Sequence, residues 1–327
     1  MYAVQGVMQS AGLLSVALHN PRVETDRAEK HLDNILEMLD LAAEYDPDFV
    51  CFPEVSLGHA ARQDGLLDEA AQEVPGPGTE AVGDKARALD SYVVLPLYER
   101  DGDEFYNSAV FIDPDGEVQG TYRKVAPTSA EIDGGLTPGE EIPVFETEFG
   151  RVGLFICWDI KYAEVGAQLA RKDADLVFHP THGSGDRRCQ TWAQYYGYPV
   201  VFCDKHGACV FEPVGVDTGA NANEWNLPTV DADLHGGECR LSFTEVNIDT
   251  RSYTKKPVLS DVLDEYRGDI LMHERSSEGL VVLESVSESV SLDDIEREFD
   301  DLEQARVYEE RMRQSILEAT DDSPLID

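Results

Sequence analysis

The sequence predicts an α/β fold with mixed sheets, and three observations along the chain give this prediction. Segments with helical periodicity alternate with short apolar runs typical of buried strands, which is the order found in α/β proteins. The apolar segments around the turn Asp113-Pro-Asp-Gly116 are typical of antiparallel strands, so the sheets are not purely parallel. A helix, an Asp-x-Asp word, an apolar run and a proline occur together twice, ending at Pro53 and at Pro180. This echo indicates two halves built alike.

The individual elements follow from the same patterns. Near the N-terminus we expect a strand over 13–18 and then a helix over 25–44, in which the apolar residues recur on one stripe. The Gly-, Asn- and Pro-rich segment 207–238 predicts loops around short strands. The remaining predicted elements are strands ending near Pro53, Glu99, Asp113 and Val125, a helix over 79–89, a strand over 152–156 with a helix to about residue 171, a strand over 176–180, a helix over 186–196, and strands over 198–204 and 241–249.

The last part of the chain is acidic and has helical periodicity. Ser291 is expected to cap a helix, because serine is a favoured N-cap residue. The apolar stripe of this segment predicts that it docks on the chain or on a partner subunit rather than staying solvated. The stripe comprises Leu292, Ile295, Phe299, Leu302, Met312 and Ile316. We therefore divide the chain into a domain over 1–284 and an acidic helical extension over 285–327.

The charge of the chain is extreme, with 65 acidic against 26 basic residues and a net charge of −39. This balance argues against nucleic acid as a partner, because phosphate contacts need clustered Lys and Arg. The acid is spread along the whole chain, which favours a protein from a halophile with molar salt in its cytoplasm. At about 1 M salt the Debye length is roughly 3 Å, so repulsion on the surface is screened. An ordinary acidic protein of a mesophile is the alternative.

The sequence predicts neither a membrane protein nor a metal protein. It has no run of 18 uncharged apolar residues, and its first residues lack the pattern of a signal peptide. We therefore expect a cytoplasmic protein that makes no membrane contact. No pair of its six cysteines has the CxxC spacing of a metal knuckle. We accordingly expect no metal site, and most of the cysteines are expected to be small buried hydrophobic residues.

Cys157 stands at the end of an apolar strand, where a helix is expected to begin. A helix N-terminus lowers the pKa of a thiol, because unpaired N–H groups point toward it. The N–H of Trp158, the next residue, could bind an oxyanion, as at a nucleophile elbow. An inert buried cysteine at a strand end is the alternative, and Cys157 alone does not exclude it.

Three further charged residues stand at or near predicted strand ends. Glu54 follows an apolar run and a proline, so we expect partial desolvation to raise its pKa toward the range of a general base. Lys124 ends another strand, and Glu131 follows it seven residues later. Each of them taken singly is more often a surface charge than a catalyst. Together with Cys157 they form a more demanding pattern.

The segments FVCFPEVSLG, YNSAVFIDPDGEVQGTYRKVAPTSAE and FGRVGLFICWDIKYAE resemble the nitrilase superfamily of carbon–nitrogen hydrolases. The likeness covers about residues 14–204. It implies a four-layer α-β-β-α sandwich with two mixed sheets. It also implies a Glu-Lys-Cys triad in which Glu54 is the general base, Lys124 the lysine and Cys157 the nucleophile. Glu131 falls on the second glutamate of the family and would position Lys124 or the substrate.

The resemblance implies hydrolysis of a non-peptide C–N bond through a thioester, without a cofactor. We expect an amidase or N-carbamoyl amidohydrolase that acts on a small linear substrate. A nitrilase is the first alternative, because the K-x-x-P-T-x-x-E spacing resembles that of true nitrilases. A non-catalytic binding protein that keeps the fold is the second alternative. Trp158, Glu164 and His182 are expected to line the substrate pocket. Relatives assemble through helices next to the cysteine and through C-terminal arms, so we expect a homodimer or a larger homo-oligomer.

Overall fold

The computed structural model describes residues 10–19, 27–58, 67–183, 186–204, 207–214, 229–234, 237–275 and 279–320. The strands are β1 Ser10–His19, β2 Phe49–Cys51, β3 Tyr92–Asp101, β4 Glu104–Ile112, β5 Val118–Arg123, β6 Val144–Thr147, β7 Gly150–Leu154, β8 Leu176–Pro180, β9 Val200–Asp204, β10 Gly207–Phe211, β11 Thr229–Leu234, β12 Gly237–Asn247, β13 Thr250–Thr254, β14 Ile270–Arg275 and β15 Leu280–Ser285. The helices are α1 Arg27–Ala42, α2 Leu67–Ala70, α3 Pro77–Leu89, α4 Ser129–Asp133, α5 Ala163–Arg171, α6 Asp186–Tyr196, α7 Val258–Glu265, α8 Leu292–Glu298 and α9 Ala305–Ala319.

Two mixed sheets form the centre of the molecule. The first sheet has the order β11-β12-β1-β2-β3-β4-β5, and the second has the order β10-β9-β8-β7-β6. Strands β1, β2 and β3 are mutually parallel, as are β7, β8 and β9, whereas β4 and β5 pair antiparallel. Each parallel set is therefore extended by antiparallel strands, and the prediction of mixed sheets is confirmed.

The alternation of side chains along β2 shows how the layers stack. Phe49 and Cys51 pack toward the second sheet, in one core with Leu154 and Phe178. Val50, between them, faces the opposite way, into a second core with residues of α1 and α3. This is the period of two expected of a strand that is buried on both faces.

Helices cover the outer faces of both sheets. Helices α1 and α3 lie on the first sheet through Ile35, Leu39 and Val82. Helices α5 and α6 cover the second sheet through Leu169 and Trp192. The layers are thus helix, sheet, sheet and helix, and the predicted α-β-β-α sandwich is confirmed.

A stack of aromatic rings fills part of the space between the two sheets. The ring centroids of Phe49 and Tyr92 are 5.0 Å apart, and those of Tyr92 and Phe111 are 5.4 Å apart. Phe145, on the second sheet, stacks on Phe111 at 4.9 Å. Such offset pairs add to the stabilisation from apolar burial and fix the spacing of the sheets.

The C-terminal segment packs on a third sheet, of order β13-β15-β14, which the sequence did not predict. Ser291 caps α8 as predicted, because its hydroxyl accepts a hydrogen bond from the Asp294 N–H. The buried residues Leu292 and Ile295 share a core with Tyr253 of β13. The boundary at residue 284 stays a prediction, and residues 321–327 lie outside the described residues.

The prediction of one apolar docking stripe is only partly correct. The helical segment is interrupted after Glu298, so the stripe is divided between α8, the connection that follows it and α9. Leu302 is buried, whereas Met312 and Ile316 on α9 remain exposed by 39% and 41%. Residues 215–228 of the predicted loop region lie outside the described residues. None of the described helices is long and apolar enough to cross a membrane.

Candidate active site

The residues of the predicted triad come together where the strands of the two sheets end. Glu54 follows β2 and Lys124 follows β5, both in the first sheet. Cys157 lies three residues beyond the end of β7 and His182 two residues beyond the end of β8, both in the second sheet. The carboxyl ends of parallel strands meet at the same edge, so the fold gathers residues that are distant in sequence.

Lys124 lies between two carboxylates. Its ammonium nitrogen is 2.8 Å from Glu54 Oε1, and 3.0 and 2.9 Å from the two oxygens of Glu131. The side chains of Lys124, Glu54 and Glu131 are only 1%, 5% and 8% exposed. A buried charge must be paired and hydrogen-bonded, and this cation is both.

Asn107, in β4, binds both carboxylates at once and was not among the predicted site residues. Its side-chain amide donates to Glu54 Oε1 at 2.8 Å and to Glu131 Oε1 at 2.9 Å. Its backbone carbonyl accepts the Lys124 N–H at 2.8 Å. The sequence held a signal for it, because Asn107 belongs to the YNSA word that carries part of the family resemblance.

Glu131 is also held by the cap of its own short helix. Thr128 is the N-cap of α4, and both its N–H and its hydroxyl donate to Glu131 Oε2, at 2.8 and 2.9 Å. Asn107 and Lys124 complete the set of donors to this carboxylate. Both oxygens of Glu131 therefore have protein donors, which favours a role in positioning Lys124 over contact with a substrate.

The two oxygens of Glu54 have different surroundings. Oε1 receives hydrogen bonds from Lys124 and Asn107. Oε2 accepts the backbone N–H of His182 at 3.1 Å, and the Glu54 carboxylate also accepts a hydrogen bond from the Cys157 thiol. Because Oε1 is occupied by two donors, Oε2 is the oxygen better placed to take a proton.

Cys157 lies in a strained turn. Its φ of 45° is in the left-handed region, which is uncommon for residues other than glycine. Val55, next to Glu54, has a φ of 46°, and for a β-branched residue this is a clear outlier. Strained backbone of this kind costs about 1–3 kcal/mol per residue and clusters at functional sites.

The structure corrects the predicted surroundings of the thiol. A single 3-10 turn, Cys157–Lys161, follows the strand, and the α-helix begins only at Ala163. Cys157 is thus not at the N-terminus of an α-helix. Burial raises the pKa of its thiol and the Glu54 carboxylate raises it further, to about 12, against the opposing effects of Lys124, Thr181 and the His182 N–H. The resting site holds a thiol and not a thiolate.

The expected rise in the pKa of Glu54 is also wrong. Burial raises this pKa, but the charges of Lys124 and His182 and hydrogen bonds from Lys124 and Cys157 outweigh the effect of burial and lower the pKa to about 2. The nearby carboxylates and the Cys157 sulfur raise the pKa of Lys124, although burial alone lowers it. The site therefore rests as a carboxylate, an ammonium and a neutral thiol.

The three residues expected to bind substrate lie in different surroundings. His182 is at the site, with its ring Nδ1 3.9 Å from Glu54 Oε2. Trp158 is 42% exposed next to Cys157, with the Lys161 ammonium 5.0 Å from its ring centroid. Glu164 lines a separate cavity of about 510 Å³, together with Tyr162 and other residues that do not belong to the triad. A pocket role for these residues stays a prediction.

Two other residues beside the thiol were not predicted. Thr181 hydrogen-bonds to the Cys157 thiol and is buried. Gly183 lies close enough that an added Cβ would be 3.9 Å from the sulfur. Among the residues that the structure describes, no group of three or more His, Cys, Asp or Glu side chains is arranged to hold a metal ion.

Comparison with known families agrees with the resemblance of the motifs. A family model described as carbon-nitrogen hydrolase matches residues 15–201, which is more than half of the chain. The chain belongs to the carbon-nitrogen hydrolase family. Glu54, Lys124 and Cys157 all lie in the matched part of this carbon-nitrogen hydrolase. Its predicted origin from a halophile stays a prediction.

The curated relatives include both nitrilases and an amidase. A bifunctional nitrilase/nitrile hydratase of Lupinus angustifolius is 32% identical over 173 residues, which are 47% of this chain and 49% of that enzyme. The omega-amidase of Danio rerio is 28% identical over 182 residues, which are 53% of this chain and 64% of that enzyme. The chain thus spans about half the length of the first relative and under two thirds of the second.

Solved structures of this superfamily share the fold. A Saccharomyces cerevisiae protein of branch 10 of the nitrilase superfamily superposes with a TM-score of 0.57 at 19% identity, covering 73% of this chain and 92% of that one. An amidase from Nesterenkonia sp. superposes with a TM-score of 0.54 at 20% identity, covering 73% and 91%. At these identities the likeness shows the fold alone.

Proposed function

We propose that this carbon-nitrogen hydrolase cleaves a non-peptide C–N bond of a small amide or N-carbamoyl compound, with Cys157 as the nucleophile. One observation carries the proposal. A half-buried cysteine, a buried ammonium and a carboxylate that accepts a hydrogen bond from the thiol lie in a single site at the edge of two sheets. This arrangement of Glu54, Lys124 and Cys157 supports the proposal of acyl transfer.

The proposed reaction begins with proton transfer. Because the thiol has a pKa of about 12, it loses its proton only as the sulfur attacks the carbonyl carbon. Glu54 Oε2 takes that proton in the same step. The carbonyl π electrons move to oxygen, and the negative charge that forms is stabilised by the Lys124 ammonium and the Trp158 N–H.

The second half of the reaction releases two products. Glu54 gives its proton to the amide nitrogen, which leaves as ammonia or an amine when the C–N bond breaks. Cys157 then holds the acyl group as a thioester. Water attacks that carbon while Glu54 takes its proton, and collapse of the intermediate expels the sulfur, which regains a proton from Glu54. The acid departs, and the site returns to its resting state.

Named relatives support the choice of substrate class. An omega-amidase is among the curated relatives, and in a variant of the Nesterenkonia amidase the acetamide moiety of fluoroacetamide is covalently added to the active-site cysteine. The curated nitrilases favour a second candidate, hydrolysis of a nitrile at the same cysteine. Attack on a nitrile carbon would place negative charge on nitrogen in place of oxygen, at the same donors.

The test is a panel of small amides, N-carbamoyl compounds and nitriles, assayed for ammonia release in concentrated KCl. We expect release from at least one amide or carbamoyl compound, and its loss in Cys157→Ala. Cys209→Ala is the matched control, because Cys209 is a partly exposed cysteine on β10 that is outside the proposed triad. Release only from nitriles would favour the second candidate. Equal activity of Cys157→Ala and the wild type would refute both candidates.

A further inference from the structure

Asp159 is a buried carboxylate that the proposed reaction does not use. It is two residues beyond Cys157 in the 3-10 turn, with an exposed fraction of 0%. It accepts three hydrogen bonds from neutral donors, and none of the ion pairs within the described residues includes it. A buried carboxylate without a cationic partner is costly to maintain, so its presence requires an explanation.

The three donors come from two segments of the chain. Asp159 Oδ2 accepts the N–H of Ile156 at 2.9 Å and the hydroxyl of Tyr122 at 2.7 Å. Oδ1 accepts the N–H of Ala126 at 2.8 Å. Ile156 leads into the cysteine turn from the second sheet, whereas Tyr122, on β5 of the first sheet, and Ala126, in the loop after β5, lie two residues to either side of Lys124.

Asp159 therefore connects the two halves of the site. The cysteine and the lysine belong to different sheets, and apolar packing between sheets does not define a single position as closely as hydrogen bonds do. The turn at Cys157 also has a strained φ of 45°, which persists only where its surroundings hold it. The Ile156 N–H bond to Asp159 lies within that turn.

We propose that Asp159 is a positioning residue, whose carboxylate ties the cysteine turn to the lysine strand and so sets Lys124 against the Cys157 sulfur. This inference rests on the proposed function, because it assigns a purpose to the distance between these two groups. Asp159 itself lies too deep to touch a substrate and acts through the turn and the lysine strand.

The decisive variant is Asp159→Asn, which keeps the shape but turns one acceptor into a donor. Whichever way the amide is oriented, its NH₂ group faces the backbone N–H of either Ile156 or Ala126, and the hydrogen bond from that N–H is lost. A misplacement of about 1 Å costs on the order of 100-fold in rate. We therefore expect kcat to fall about 10- to 100-fold with KM nearly unchanged. Tyr122→Phe, which removes one of the three donors, should lose about 3- to 10-fold.

Stability distinguishes positioning from a merely structural role. Burial raises the pKa of Asp159 to about 6, although Tyr122, two backbone N–H groups and Lys124 all lower it. A folded-state pKa above that of the unfolded chain means that the ionised carboxylate costs stability above about pH 6. In Asp159→Asn, the stability gained by removal of this charge offsets the stability lost with the hydrogen bond. The unfolding midpoint at about pH 8 should therefore stay within about 3 °C of the wild type.

The matched control is Asp175→Asn. Asp175 also accepts a backbone N–H, that of Arg151 at 2.9 Å, but at the opposite end of β7. We expect its kcat to be unchanged. Loss of stability and activity together in Asp159→Asn, or wild-type kcat in that variant, would overturn the inference.

A readout without substrate separates this inference from the proposed function. The rate of alkylation of Cys157 by iodoacetamide should fall about 10-fold in Asp159→Asn and stay unchanged in Asp175→Asn, because Lys124 no longer supports the forming thiolate. If the wild type hydrolyses none of the compounds tested, the proposed function fails while this measurement still decides on Asp159. An unchanged rate of alkylation in Asp159→Asn would overturn the positioning role.

Discussion

Replacement of Lys124 by methionine tests whether the buried ion network holds the site together. The substitution keeps most of the side-chain volume but leaves the carboxylates of Glu54 and Glu131 facing each other without their cation. Removal of one partner from a buried ion pair costs about 3–5 kcal/mol. All three side chains are at most 8% exposed, so solvent does little to reduce this cost. We expect Lys124→Met to lower the free energy of unfolding by about this amount near neutral pH.

The loss of unfolding free energy in Lys124→Met should depend on pH with a definite sign. In the wild type the pKa of Glu54 is lowered from 4.5 to about 2, so this carboxylate contributes stability that is lost as the pH falls through that range. In Lys124→Met the main cause of that lowering is absent, and burial then raises the pKa of Glu54. The folded variant binds a proton more tightly than its unfolded chain and gains stability as the pH falls. The difference between the two proteins should therefore shrink from about pH 8 to about pH 5.

Urea unfolding at several pH values measures this difference. The matched control is Lys85→Met, because Lys85 pairs with Asp40 on the surface, where the side chains are 30% and 63% exposed. An exposed pair contributes about 0–1 kcal/mol, so the control should change little at any pH. The reasoning is refuted if Lys124→Met costs no more than the control, or if its cost is the same at both ends of the pH range.

Three other outcomes follow from the structure. Glu54→Gln should abolish hydrolysis yet speed alkylation of Cys157 by iodoacetamide at about pH 9, because the Glu54 carboxylate raises the pKa of that thiol; slower alkylation would contradict this. Ser291→Ala should lower the free energy of unfolding by about 1 kcal/mol, since Ser291 caps α8; an unchanged urea midpoint would contradict it. Sedimentation in molar KCl should show a particle larger than the 36.2 kDa of one chain, and a monomer would contradict the predicted assembly.

The proposed catalytic residues could be picked out from the sequence because each stands in a recognisable word at the end of a strand. Glu54 and Cys157 follow or end apolar runs, Lys124 ends a predicted strand, and the fold brings strand ends to one edge. The residues that support them are not marked by a strand end. Asn107 lies inside a strand, and Asp159 resembles any acidic residue at the start of a helix. Their roles depend on contacts between the sheets, which periodicity along one chain does not report.

Both errors about pKa have a physical cause of the same kind. The sequence predicts burial, and burial alone would raise the pKa of Glu54. It does not predict which charges lie beside a group, and here Lys124 and its partners outweigh burial for Glu54. The same carboxylate adds to the effect of burial on Cys157. The sign of each shift is therefore a property of the assembled site.

The acidic surface and the buried network respond differently to salt. With a net charge of −39, repulsion between exposed carboxylates is strong at low salt and is largely screened at about 1 M, where the Debye length is roughly 3 Å. The hydrogen bonds of Lys124 with Glu54 and Glu131 are buried away from solvent, so salt weakens them little. A protein built in this way would need salt to stay folded and assembled but not to arrange its catalytic groups. Salt should therefore change the fraction of active protein more than the kcat of each folded site.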